Sequence, residues 1–174
     1  VYELDVSFQS MYNENHCRET SIKVRGTLDK KREKGQFIGA FAPYGYLKDP
    51  EDYHHLVVNP ETAPVVKDIF RWYMEGMSKS AITKELIRLG IPSPYEYKRQ
   101  HGMKCFNPQA VKKGGVVYWS TRTVDQILHN PTYIGDMVQG RHKVTSYKIH
   151  DIIPVDEADW FWVEGTHEAI IDAD

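Results

Sequence analysis

The sequence is short of most of what side-chain chemistry requires. It holds two cysteines, Cys17 and Cys105, far apart and with no Cys-x-x-Cys anywhere. Neither a disulfide framework nor a cysteine zinc site is indicated, and free thiols in a reducing compartment are expected. No run approaches the roughly 18 apolar residues of a membrane span, and the first residues lack the basic-then-apolar order of a signal peptide. The expectation is a soluble, cytoplasmic protein with no membrane partner. Phosphate loops of the Gly-x-Gly-x-x-Gly or Gly-Lys-Ser/Thr kind are absent. There is no initiator Met, and Val1 opens inside an amphipathic pattern, which reads as a piece of a longer polypeptide.

Positive charge is missing from one end. The last 26 residues carry eight acids and no Lys or Arg, while all 22 Lys and Arg lie in residues 1–148 against 16 acids, a net of +6. The overall charge of -2 is thus a basic body offset by an acidic tail. A near-neutral total argues against a nucleic-acid partner, but the division reverses that, because phosphate binding is driven by counterion release to Lys and Arg. The acidic tail is expected to face away from phosphate and to cover a sheet edge. With 174 residues, 41% apolar and 12% aromatic, the chain can bury the core of one domain with an extension.

From about Asp5 to Lys34 there is no proline, which leaves room for a helix of some 30 residues. Its apolar residues are sparse (Leu4, Phe8, Met11, then Ile22, Val24 and Leu28), so it must lean on something else. Its second half, Arg18 to Lys34, is basic by +4, which also suits a solvated helix end. Gly35 to Tyr46 mixes three glycines and a proline with four aromatics and reads as an ordered connector that docks on a surface. A helix entered at Asn59-Pro60-Glu61, or later at Pro64, carries Val66, Ile69, Phe70 and Tyr73 at helical spacing. Ser78 caps a second, with Ile82, Leu86 and Leu89 inward, ending at Gly90. Residues 93–118 show no period and read as a long loop. Ser120 caps a third helix with Val124, Ile127 and Leu128 inward, stopped by Asn130-Pro131, and with Thr121, Arg122, Asp125 and Gln126 outward. Segments 133–138, 144–153 and 160–163 read as short strands. The fold class is α+β and mainly helical: a long N-terminal helix, a helix-turn-helix-like three-helix unit and a small β-rich C-terminal part.

No catalytic or metal site emerges. His54 and His55 are adjacent and would diverge on any regular element, and no His-x-x-x-His pair lies on a helix. His16 beside Cys17 and Glu14 resembles a thiol with a base, yet neighbours on a helix do not face each other. Ser7 and Ser10 lack any nucleophile context. No cofactor is expected. What converges is binding: a basic helix end, an aromatic connector, Arg122 and Gln126 on an exposed helix face, and a basic turn at Arg141-His142-Lys143. Arg and Gln are types that read guanine and adenine edges, while lysines hold phosphates without reading sequence.

The order of motifs carries a family likeness. The connector ending Ala42-Pro43-Tyr44-Gly45-Tyr46, then Val57-Val58-Asn59-Pro60-Glu61, Gly90-Ile91-Pro92, Trp119-Ser120 and Asn130-Pro131-Thr132-Tyr133-Ile134-Gly135-Asp136 resemble the recombinase domain of the large serine recombinases, within the resolvase/invertase superfamily. Trp162 to Ile171 is similar to the end of that domain, and Phe41-Ala42-Pro43 to the branch found in transposons. The resemblance implies a parent enzyme that cuts DNA with a serine nucleophile and exchanges ends within a tetramer built from dimers. That serine lies in a domain this chain lacks, so no catalytic residue is transferred and the chain is expected to be inactive alone. Residues 1–34 would be the end of the connecting helix, 35–47 a linker following the duplex, and 48–174 the DNA-binding domain, with double-stranded attachment-site DNA as partner. The expected contacts are Lys23, Arg25, Lys30, Lys31, Arg32, Lys34, Gly39, Tyr44, Thr121, Arg122, Gln126, Arg141 and Lys143. The competing reading is a protein-interaction module that uses the long helix and the acidic, aromatic tail.

Overall fold

An uninterrupted run without proline becomes one helix, α1 (Tyr2–Glu33), about 48 Å long at 1.5 Å per residue. The computed structural model describes residues 2–105, 116–146, 149 and 151–172, and within α1 the side chains of Gln9 and of Met11 onward. The expectations for Leu4, Ser7, Phe8 and Ser10 therefore lie outside the described side chains. Every residue from Met11 to Thr20 is exposed, and beyond it only Ser21 and the last turns are partly covered. The helix closes in a Schellman arrangement: Gly35 N–H donates to the Arg32 carbonyl at 2.9 Å and Gln36 N–H to that of Lys31 at 3.0 Å. Glycine is required at position 35 on two counts. Its φ is +68°, and a Cβ would stand 2.4 Å from Thr166 Cγ2.

The chain is α+β and mainly helical, as expected, and organises into two compact units, each discontinuous in sequence. Two short strands, β1 (Tyr46–Lys48) and β2 (Leu56–Val58), form a two-stranded sheet.

The helical unit comprises Pro43–Leu47, Val58–Tyr133 and Ile170–Asp174. Its helices are α2 (Ala63–Met74), α3 (Lys79–Arg88), α4 (Pro94–Gln100) and α5 (Thr121–Leu128). Asn59-Pro60-Glu61 forms a turn in which the Asn59 side chain accepts from Glu61 N–H at 3.0 Å, and α2 begins just beyond it, with Pro64 in its first turn. Ser78 and Ser120 cap α3 and α5, each Oγ accepting a backbone N–H three residues on at 3.2 Å. Val66 and Ile69, Ile82 and Leu86, and Val124 and Ile127 form the buried faces of α2, α3 and α5. Tyr73 and Leu89, expected inward, are exposed. Both sit where the helix is ending, Tyr73 in the last turn of α2 and Leu89 at the C-cap of α3.

Two further expectations change here. Residues 93–118 are not a plain loop, because Ser93 caps α4, its Oγ accepting Glu96 N–H at 3.3 Å. Two turns are too few to show an apolar stripe. The Lys112-Lys113-Gly114-Gly115 run lies outside the described residues. Tyr133, read as the start of a strand, sits in a 3-10 turn (Pro131–Ile134) and is almost fully buried. Its hydroxyl donates to the Tyr44 carbonyl at 2.8 Å, and its own carbonyl accepts from Ile170 N–H and Ile171 N–H, both at 2.9 Å. Burial pushes its phenol well above the usual range.

The Ala-Pro-Tyr-Gly-Tyr motif supplies core to this unit. Tyr46 stacks on Tyr133 with centroids 6.0 Å apart, and its hydroxyl donates to the Thr132 carbonyl at 3.1 Å. Tyr44 lies edge-on to Trp119 at 5.4 Å. Between them Gly45 adopts φ +98°, and a Cβ there would meet Ile170 Cδ1 at 2.9 Å and Val66 Cγ2 at 3.0 Å.

The second unit comprises Val1–Ala42, Lys48–Val57 and Ile134–Ala169. Two antiparallel ribbons belong to it. In one, β3 (Met137–Gln139) pairs with β6 (Phe161–Val163), Val138 opposite Trp162. In the other, β4 (His142–Val144) pairs with β5 (Ile152–Pro154), Lys143 opposite Ile153. The single strand expected over 144–153 is instead the end of β4 and the start of β5, which pair with each other, and between them Ser146 N–H donates to the Ile149 carbonyl at 3.1 Å. Residues 147, 148 and 150 of that segment lie outside the described residues. Phe37, Leu56, Met137 and His167 are buried in this unit.

Candidate nucleic-acid interface

Each unit offers one surface with the residue types anticipated from sequence. In the helical unit it is the outer face of α5. The Ser120 cap fixes the helix start, burial of Val124 and Ile127 fixes its rotation, and Thr121, Arg122 and Gln126 consequently stand in solvent. Arg122 and Gln126 are four residues apart and share one face.

Asp125 is also on α5, and it is engaged. Its carboxylate pairs with Lys79 Nζ at the start of α3, and His129 Nδ1 stands 3.3 Å from it. The hydrogen bond from Lys79 holds the Asp125 carboxyl below its ordinary value, and the same bond raises the Lys79 ammonium. A lysine in the first turn of α3 opposes the helix dipole, and Asp125 compensates it. The two are 46 positions apart, so neither periodicity nor spacing could pair them.

In the second unit the surface is the end of α1 together with the segments packed beside it. Lys23, Arg25, Lys30 and Lys34 are exposed, and Lys31 and Arg32 are half-buried. Lys31 Nζ donates to His54 Nε2 at 2.9 Å. Arg32 is paired with Asp29 and lies 5.8 Å over the Phe161 ring. Arg141 likewise lies 5.0 Å over Trp160, while Lys143 is exposed on β4. The Nε of both arginines is buried without an acceptor. The acid-rich C-terminal segment as far as Ala169 thus lies in the same unit as the basic helix end, and its β6 takes up an edge of β3, whereas Ile170–Asp174 belongs to the helical unit.

Two expected contacts change character. Tyr44 is 8% exposed, and its hydroxyl donates to the Pro92 carbonyl at 3.4 Å, which leaves it a packing residue with no surface to offer. Gly39 is partly covered, and a Cβ there would strike the Phe37 ring at 2.5 Å, so its lack of a side chain serves local packing. Sequence reasoning missed His54 and Gln139. Gln139 Nε2 donates to the Gln36 carbonyl at 2.8 Å while its Oε1 accepts from Ile38 N–H at 3.3 Å. The only signal was the adjacent His54-His55 pair, which points to metal chemistry when read alone.

Among the described residues, no cluster of three or more His, Cys, Asp or Glu could hold a metal ion, and no helix is long and apolar enough to cross a membrane.

Comparison with known families gives the class first. The sequence model of the Recombinase family matches residues 60–174, well over half of the chain, so this is a domain of the machinery of site-specific DNA recombination. The chain belongs to the Recombinase family and is a member of the large serine recombinases. No curated protein and no solved structure matches it.

Proposed function

We propose that the chain binds double-stranded attachment-site DNA, as the DNA-binding part of a recombinase whose full-length form carries out integration and excision. The observation that carries this reading is α5, a capped helix with one face buried and Thr121, Arg122 and Gln126 free on the other. In a helix-turn-helix docking those side chains enter the major groove, Arg122 and Gln126 read bases, and Arg141 and Lys143 hold phosphates. Lys23, Arg25, Lys30, Lys31, Arg32 and Lys34 serve the backbone near the crossover point. Residues 1–34 act as the end of the connecting helix to a catalytic domain. The linker role narrows to the stretch around Ala40 and Phe41, because Tyr44 to Tyr46 are core.

The test is Arg122→Ala in a shift assay on the cognate half-site and on random duplex. The loss on the half-site should be about 1–3 kcal/mol, with random DNA nearly unaffected. An equal loss on both demotes Arg122 to a phosphate contact. A second reading, self-association through α1, is favoured by the exposure of Met11 and Tyr12 along its bare length. Sedimentation of the chain without DNA distinguishes it.

A further inference from the structure

A chain leaving a helix must place its backbone polar groups on some partner. Immediately after α1 they are taken up by two residues from further along the sequence, His54 and Gln139, together with the last turn of the helix. Gln36 N–H closes the helix on the Lys31 carbonyl, and the Gln36 carbonyl accepts from Gln139 Nε2 at 2.8 Å. Phe37 N–H donates to the His54 carbonyl at 2.7 Å, the Phe37 carbonyl accepts from His54 Nδ1 at 2.8 Å, and Ile38 N–H donates to Gln139 Oε1 at 3.3 Å. No backbone donor or acceptor of Gln36 or Phe37 is left to water. The turn carrying His54 is itself fixed, since His54 N–H donates to Asp52 Oδ1 at 2.9 Å.

The chemistry of the partners sets the orientation of both side chains. A carbonyl only accepts, so His54 Nδ1 carries the proton. An ammonium only donates, so His54 Nε2 presents a lone pair to Lys31 Nζ, 2.9 Å away. Gln139 must likewise place its NH2 on Gln36 and its oxygen on Ile38. The joint therefore reaches the basic end of α1 directly, through Lys31, whose immediate neighbours include Lys30 and, one turn on, Lys34.

We infer that His54 and Gln139 are positioning residues, which lock the joint behind α1 so that Lys30, Lys31 and Lys34 meet a DNA backbone as one rigid block. This rests on the DNA-binding reading above. A packing role alone would be met by any residues that fill the space, whereas positioning shows in the number of phosphate contacts formed together.

The experiment titrates salt against binding of the whole chain to a linear duplex of arbitrary sequence, alongside amide hydrogen exchange. Gln139→Leu and His54→Phe should make the log-log slope shallower by about 2 to 3, the loss of three lysine contacts, and Gln139→Leu, which removes the acceptor of Ile38 N–H, should speed exchange at Ile38. His54→Asn keeps a donor where Nδ1 stood and loses only the Lys31 contact, so it should recover most of the slope. Gln139→Met, uncharged and of similar length, takes its place should Gln139→Leu unfold. An unaltered slope beside faster exchange would overturn the inference, as would unaltered exchange. A flat slope for the unsubstituted chain would instead overturn the DNA reading itself, and that outcome is recognised because it involves no substitution.

Discussion

Gly45→Ala is the sharpest perturbation of the motif that looks most like a connector. If Ala42-Pro43-Tyr44-Gly45-Tyr46 is core, adding one methyl group must cost stability by two routes. The backbone at φ +98° is disfavoured for an L side chain, a cost of about 1–2 kcal/mol. The new Cβ would also stand 2.9 Å from Ile170 Cδ1 and 3.0 Å from Val66 Cγ2. The isoleucine tip can swing aside, but Val66 is a stiff β-branched residue on a packed helix, so the crowding adds about 1–2 kcal/mol more. The sum of about 2–4 kcal/mol is a large share of the roughly 5–15 kcal/mol that stabilises a typical domain. Gly76→Ala supplies the control: φ is +93° but nothing lies within 4 Å of a Cβ, so only the backbone cost remains. Urea unfolding followed by circular dichroism should show Gly45→Ala losing clearly more than Gly76→Ala, with the salt dependence of DNA binding unchanged. Equal losses, or a stable Gly45→Ala protein with a weakened DNA salt slope, would refute the assignment of this motif to the core.

The same geometry sets three further outcomes. Tyr133→Phe removes the donor to the Tyr44 carbonyl and leaves a buried acceptor unpaired, which should cost about 1–3 kcal/mol in urea unfolding. Ser120→Ala should cost about 1 kcal/mol and fray the start of α5, visible as faster amide exchange at Thr123. Asp125 should titrate below its ordinary 3.8, and Lys79→Met should move it back up. Because the folded value is depressed, the pair's contribution is complete above about pH 4 and is lost as pH falls through the lower folded value, which NMR of the carboxyl carbon can follow.

Local chemistry was legible in the sequence wherever it acts over a few residues. Ser78 and Ser120 act as caps, Val66, Ile69, Ile82, Leu86, Val124 and Ile127 are buried, and α1 runs unbroken to its glycine stop. What depended on distant partners was not legible. Tyr73 and Leu89 fit the helical period but stand at helix ends, where their side chains are exposed. Tyr44 and Tyr133 look alike as aromatic residues in Gly and Pro-rich surroundings, and only the fold shows that they lie against each other, through a bond spanning 89 positions. His54 and Gln139 are polar residues on short turns and strands, and their role exists only because Gln36 to Ile38 lies between them. The divided charge was readable, but the approach of the acid-rich segment to the basic helix end, Phe161 under Arg32, was not.

In the function proposed above, the basic end of α1 and the outer face of α5 both meet DNA. Salt-titrated binding of the unsubstituted chain to a duplex carrying the attachment half-site tests it most directly. A steep fall of affinity with salt, corresponding to several phosphate contacts, together with tighter binding than to random duplex, is the expected result. A log-log slope near zero, or equal affinity for both duplexes, would contradict it.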